Sequence, residues 1–304
     1  MSALSAAAVA AIEDLQLAAR VVVEGLRAGG HRSPYHGYSA EFQQHRPYRS
    51  GDDLKYLDWK LLARTDRLYS RQFRETTSMS VMIVLDASAS LAFPDDDIAK
   101  FRYASILAAS IAYLVITQGD AAGLMTMSDG ALRYLPARSG RAQLQSLVAR
   151  IDTLSARGTW RAPEVITRAA ELLKRRGVVI VISDFYDDED ATRTALRRVA
   201  RRGHDVAMLH VVSPQEQTLP YRGELEFADL ETGERRLVDA RALSAAYRAT
   251  FAEFLARSRT AAHRDGIDYT LLSTADPPSH ALRAWLLRRG AAHDVGNTGV
   301  RVPR

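Results

Sequence analysis

Val81-Met82-Ile83-Val84-Leu85-Asp86-Ala87-Ser88-Ala89-Ser90 is the run on which the reading of this chain turns. Five apolar residues in a row, three of them β-branched, predict a central parallel strand covered on both faces. The strand leads directly into a short polar loop. Asp86, Ser88 and Ser90 then stand at its carboxyl end, the edge on which open α/β sheets hold their ligands. Alternate spacing lets one carboxylate and two hydroxyls turn toward one point. All are hard oxygen donors, which suit a magnesium-type cation better than zinc.

A second continuous apolar run, Val178–Ile182, ends in Ser183-Asp184-Phe185. In a parallel sheet Asp86 and Asp184 emerge on the same edge. Two carboxylates within about 4 Å repel by roughly 4 kcal/mol at an effective dielectric near 20, and a divalent cation between them removes that repulsion. The loop Arg157-Gly158-Thr159-Trp160 brings a further hydroxyl, Thr159, to the same edge. From residue 79 onward strands and helices alternate. Strands are expected at Val81–Leu85, Ala122–Met127, Val178–Ile182, Val206–Val212 and Tyr269–Leu272, with Ala131–Leu135 as an antiparallel hairpin partner. Helices are expected at Ile98–Gln118, Arg141–Ile151, Ala162–Arg175, from near Ala191, Ala242–Arg264 and Ser279–Arg289. The acidic run Asp187–Asp190 reads as the amino-terminal cap of the helix at Ala191. This is the pattern of an α/β, doubly wound, mostly parallel sheet, with a β-hairpin insertion at about 214–240.

Ahead of it, residues 4–28 predict a core-packing helix, with Ile12, Leu15, Ala19, Val22, Val23 and Leu26 near one face. Residues 31–75 have no clean period and are dense in aromatics, arginines and aspartates. Opposite charges so close together read as pairs within a compact folded segment, and the same residue types also suit a recognition surface. His31, His36 and His45 match no zinc spacing. The division expected is therefore 1–78 as an N-terminal helical and irregular extension, 79–290 as the sheet domain, and 291–304 as a disordered tail.

Composition removes several function classes. No cysteine occurs among the 304 residues, so disulfides, thiolate metal sites and cysteine nucleophiles are excluded. The net charge of +5 comes almost wholly from arginine, since lysine is confined to Lys55, Lys60, Lys100 and Lys174. These charges are spread over several helices, and nucleic-acid binding is not expected. No leader is read in the sequence and its longest apolar run, Ile106–Ile116, is too short to span a bilayer, so a cytoplasmic protein without a membrane span is expected. There is no Gly-x-Ser-x-Gly elbow and no phosphate-binding glycine loop. Ser88 stands where a haloacid-type phosphatase needs a second acidic residue.

Asp86-x-Ser88-x-Ser90, then Gly158-Thr159, then Ser183-Asp184 resemble the metal-ion-dependent adhesion site (MIDAS) of von Willebrand factor type A (VWA) domains. That resemblance implies one magnesium or manganese ion held by Asp86, Ser88, Ser90, Thr159 and Asp184. The family often shows Thr-Asp-Gly where this chain has Ser183-Asp184-Phe185. Upstream, His31-Arg32-Ser33-Pro34, Glu41-Phe42, Arg46-x-Tyr48, Gly51-Asp52-Asp53, Asp58-Trp59-Lys60 and Ala63-Arg64-Thr65-Asp66 resemble the signature of the bacterial domain of unknown function 58 (DUF58), whose members join this segment to a VWA fold. The resemblance spans residues 15–290 and implies a MoxR-type AAA+ ATPase as partner. It also implies a non-enzymatic module in which an acidic residue of a protein ligand completes the metal shell. A magnesium-dependent hydrolase using Asp86 and Asp184 is the alternative.

Overall fold

The computed structural model describes residues 4–28, 41–48, 57–74, 79–94, 97–128 and 130–297. Two units emerge from it. Residues 35–79 form one, and the remainder, before and after, forms the other. The extension expected over 1–78 is thus divided, because its helices pack with the sheet and its later part folds on itself.

The N-terminal helix is interrupted. It forms α1 (Ala6–Ala10) and α2 (Leu15–Ala28). Asp14 starts the second helix by accepting the Leu17 N–H at 2.9 Å. Leu15, Ala19, Val22, Val23 and Leu26 are buried, as their spacing predicts. Two arginines of the same unit bind backbone carbonyls here: Arg102 donates to Ala10 O and, between the helices, to Ile12 O, and Arg283 to Gly25 O and Leu26 O.

In residues 35–79, β1 (Glu41–Pro47) pairs antiparallel with β2 (Tyr69–Arg74), with α3 (Trp59–Thr65) between them. Asp58 caps α3 by accepting the Leu61 N–H at 3.0 Å. That gives one signature aspartate a structural job. His31, His36 and the stretches 31–40 and 49–56 lie outside the described residues, as does the side chain of His45.

The sheet unit continues with β3 (Ser80–Leu85), α4 (Lys100–Thr117), β4 (Ala121–Ser128), β5 (Ala131–Arg138), α5 (Arg141–Asp152), α6 (Ala162–Glu171), β6 (Val178–Ser183), α7 (Glu189–Arg201), β7 (Asp205–Val212), α8 (Pro214–Thr218), β8 (Glu224–Ala228), β9 (Arg235–Asp239), α9 (Ala240–Arg264), β10 (Asp268–Ser273) and α10 (Pro278–Asn297). The six-stranded sheet has the order β10-β7-β6-β3-β4-β5. Every pair is parallel except β4–β5. Counted along the sheet this is the doubly wound order, with β3 and β6 adjacent at its switch point. It is the α/β, doubly wound, mostly parallel fold that the sequence predicts, including the antiparallel edge strand.

Strand alternation explains the two core layers. Met82, Val84, Val179 and Val181 face Trp160, Val165, Ile166, Leu196 and Val199 of the α6–α7 side. The opposite face is covered by α4, itself packed on α2, α5 and α10. Among the described residues α4 is the one helix long and apolar enough to cross a membrane, and 78% of it is buried inside this core. Gly177 enters β6 where a side chain would press on the Ser80 carbonyl oxygen, so its missing Cβ lets β6 lie against β3.

The inserted hairpin is β8–β9, as expected. The closing helix runs past Arg289 to Asn297, so residues 291–297 of the predicted disordered tail are helical; 298–304 lie outside the described residues.

Candidate functional site

Adjacent parallel strands set the geometry. Leu85 of β3 is in register with Ile182 of β6, and the Asp86 N–H donates to the Ile182 carbonyl at 3.0 Å. Asp86 is fully buried. Its two oxygens accept from the chain on either side: Oδ1 from the Ser88 N–H at 2.8 Å, Oδ2 from the Ser183 hydroxyl at 2.5 Å. The Ser88 and Ser90 hydroxyl oxygens lie 3.0 Å apart. A short 3-10 turn over Ala89–Ala92, anchored by buried Leu91, holds them there.

The loop before α6 is stitched to this turn. Ala89 N–H donates to Gly158 O and Arg157 N–H to Ala87 O, each at 2.9 Å. Gly158 has φ +74°, the left-handed conformation that admits glycine without strain. Thr159 follows on the same edge with an exposed side chain. The structure brings Asp86, Ser88 and Ser90 together and joins the Arg157–Gly158 backbone to their loop, with Thr159 next in the chain.

Asp184 has another partner. Its Oδ2 accepts from the Lys100 ammonium at 2.7 Å, and the same ammonium donates to Glu216 Oε1 at 2.5 Å. Lys100 is fully buried, with its ammonium 4.7 Å from the centre of the Tyr186 ring. Glu216 is fixed by a capping box on α8: its Oε2 accepts the Ser213 N–H, and its own N–H donates to Ser213 Oγ. A further carboxylate comes from the β8–β9 hairpin, where half-buried Glu231 interacts with Ser90, Ser88 and Asp184.

The charges are unbalanced. Asp184 and Glu216 share one ammonium, while Asp86 and Glu231 both feel the Asp184 charge. Burial, and then the Asp184 charge, push Asp86 up to about 7, against the opposing pull of its Ser183 and Ser88 hydrogen bonds. Burial alone would lower Lys100, but Asp184 and Glu216 overcome it and raise it. Burial and the Asp184 charge likewise raise Glu231. One buried carboxylate, two adjacent hydroxyls and uncompensated negative charge are the donor set of a small hard dication. Among the described residues no three His, Asp or Glu side chains cluster as ligands, so hydroxyls would have to supply part of the shell. Asp86, Ser88 and Ser90 fit such an ion. Asp184, with one oxygen on Lys100, fits as a neighbour that holds the local charge.

Phe185 occupies the place of the glycine often found there, and keeps a left-handed backbone at φ +55°. That conformation costs about 1–2 kcal/mol outside glycine. Its ring is buried and meets His210 edge-on at 5.2 Å, which holds the loop regardless. Asp188 caps α7 through the Ala191 N–H, as the acidic run predicts, while Asp187 reaches back to the Ala162 N–H of α6.

Three site residues escaped the sequence reading: Lys100, Glu216 and Glu231. Two carried a signal. Lys100 is one of only four lysines and opens an apolar helix, and Ser213-x-x-Glu216 is a capping-box pattern. Glu231 had none beyond its place in a hairpin turn.

The sequence profile of "Protein of unknown function DUF58" matches residues 44–261. The uncharacterised protein Rv1480 of Mycobacterium tuberculosis is 30% identical over 273 residues, 88% of this chain and 82% of its own length. Among solved structures, BatB from Bacteroides thetaiotaomicron aligns at 18% identity and a TM-score of 0.46, over 71% of this chain and all of its own. An aerotolerance-related membrane protein from Bacteroides fragilis aligns at 19% identity and a TM-score of 0.49, over 69% of this chain and all of its own.

Proposed function

The chain belongs to the DUF58 family, and from that membership and the geometry around Asp86 we propose that it is a non-enzymatic protein-interaction module whose docking depends on a divalent cation. The observation that carries the reading is a fully buried Asp86 carboxylate beside the paired hydroxyls of Ser88 and Ser90, at the switch point of the sheet. Asp86, Ser88 and Ser90 would hold magnesium or manganese from one side, with Thr159 on the adjoining loop. When bound, the ion supplies a positive centre that attracts an incoming carboxylate. Asp184 and Lys100 keep the floor of the site rigid and set its charge. Beside it Tyr186, 43% exposed, leans on Phe251 and Phe254, an aromatic surface of the kind that anchors interfaces. The partner we propose is a MoxR-type AAA+ ATPase, with this protein as its adaptor in protein maturation or complex assembly.

Magnesium or manganese at a hundredfold its dissociation constant is expected to stabilise the wild type by about 2.7 kcal/mol. For a chain of 304 residues that is about 4 °C in Tm. Asp86→Ala should show no such rise, and a wild-type melting curve unmoved by millimolar cation would remove the ion from the proposal.

For the partner, a purified MoxR-type ATPase is expected to be retained on the immobilised protein in magnesium and released by EDTA. Equal retention in both would place docking away from Asp86. Turnover of a phosphoester, lost in Asp86→Ala, would replace this reading with the hydrolase.

A further inference from the structure

The tip of the β8–β9 hairpin is built to present one side chain. Asp229 Oδ1 accepts the N–H groups of Glu231 and Thr232, each at 2.8 Å. The Asp229 carbonyl accepts from Gly233 at 2.9 Å, and the Asp229 N–H donates to Glu234 O at 2.8 Å. Gly233 sits at φ +74°, as such a turn needs. Two backbone–backbone hydrogen bonds and two to the Asp229 carboxylate thus fix the turn.

From residue 228 to 237 every residue is exposed except Glu231. Hairpin tips ordinarily turn apolar side chains inward and leave carboxylates in water. Here Leu230 faces solvent and the neighbouring glutamate is half-buried. The Glu231 carboxylate lies close enough to Ser90, Ser88 and Asp184 to interact with them. A carboxylate held against other carboxylates is unfavourable unless a cation stands among them. The hydroxyls it reaches are the ones that would hold that cation.

We propose that Glu231 is a built-in ligand of the site: its carboxylate takes the coordination position that a partner's acidic residue would otherwise fill, so that the hairpin latches the docking surface until a partner displaces it. This rests on the divalent-cation reading of Asp86, Ser88 and Ser90. Because the turn is already ordered, Glu231 loses little conformational freedom in binding. A competing carboxylate must therefore bring contacts of its own, which gives selectivity for a partner that also engages the surface around the ion.

Manganese alone is the probe. Its affinity and its number of inner-sphere waters are read by electron paramagnetic resonance and water-proton relaxation on the full chain, for the wild type, Glu231→Gln and Asp86→Ala. Exchange of the backbone amides of residues 229–234 is followed in parallel.

Glu231→Gln is expected to bind manganese at least about tenfold more weakly, the loss seen on removing even an outer-shell partner. It should hold one more inner-sphere water than the wild type, and manganese should slow amide exchange at the tip only in the wild type. Equal affinity, equal water number and equal exchange in the two proteins would overturn the latch while leaving the metal site standing. Failure of the wild type to bind manganese, or binding unaffected by Asp86→Ala, would overturn the site reading and the latch with it.

Discussion

In metal-free buffer at pH 8, Asp86→Asn is expected to be more stable than the wild type, by up to about 4 kcal/mol. The Asp86 carboxyl is raised from its ordinary 3.8 to about 7 by burial and by Asp184. Each tenfold change in proton affinity between the folded and unfolded states corresponds to about 1.4 kcal/mol. For an acid whose folded value lies above its unfolded value, the folded state binds more protons between the two. Its penalty is absent below pH 3.8, grows as pH rises, and is complete above about 7. Asparagine removes the charge and keeps the shape. Its amide oxygen can still accept the Ser88 N–H, and the Ser183 hydroxyl can turn to accept from the amide. Urea unfolding in EDTA from pH 4 to pH 8 measures the difference, which should widen with pH. Adding magnesium should stabilise the wild type and leave the variant unmoved. A variant less stable than the wild type at pH 8 in EDTA would mean that Asp86 is already neutralised by the protein and needs no ion.

Lys100→Met is expected to cost about 3–5 kcal/mol, the loss typical of removing one member of a buried ion pair. Its ammonium is the shared partner of Asp184 and Glu216, and all three groups are buried or nearly so. Methionine fills the same space, so the cost is mainly two carboxylates left without a counter-charge. The deficit should therefore shrink as pH falls toward the ordinary carboxyl range and be greatest near neutrality. The triple change Lys100→Met, Asp184→Asn, Glu216→Gln should recover much of the loss, because it removes the charges together. Chemical denaturation of the three proteins at pH 5 and pH 8 tests this. A single variant within about 1 kcal/mol of the wild type would mean that water already reaches the cluster.

The two variants separate what the strands specify from what their surroundings add. Val81–Leu85 and Val178–Ile182 were legible because burial on both faces demands continuous apolar runs, and such runs have few other uses. Asp86, Ser88 and Ser90 were legible because alternate spacing at a strand end converges on one point. The hairpin β4–β5 and the insertion β8–β9 were marked by their turn residues. The break between α1 and α2 was not legible, since a single Asp14 cap is a weak signal inside an apolar helical period. Nor was β1–β2, whose pairing joins residues far apart in the chain, Glu41 with Arg74 at its outer end.

By itself, then, the sequence determined a doubly wound sheet and the edge on which Asp86, Ser88, Ser90 and Asp184 gather, because periodicity and strand ends are local properties of the chain. Only the tertiary structure decided which charges those residues meet. Lys100 reaches Asp184 across 84 positions and Glu216 across 116, and Glu231 arrives from an inserted hairpin. Pairings across such separations leave no periodic trace, since they depend on how α4, α8 and the hairpin come to rest around the sheet. That is why the pairing of Asp184 with a buried lysine appears only in the fold.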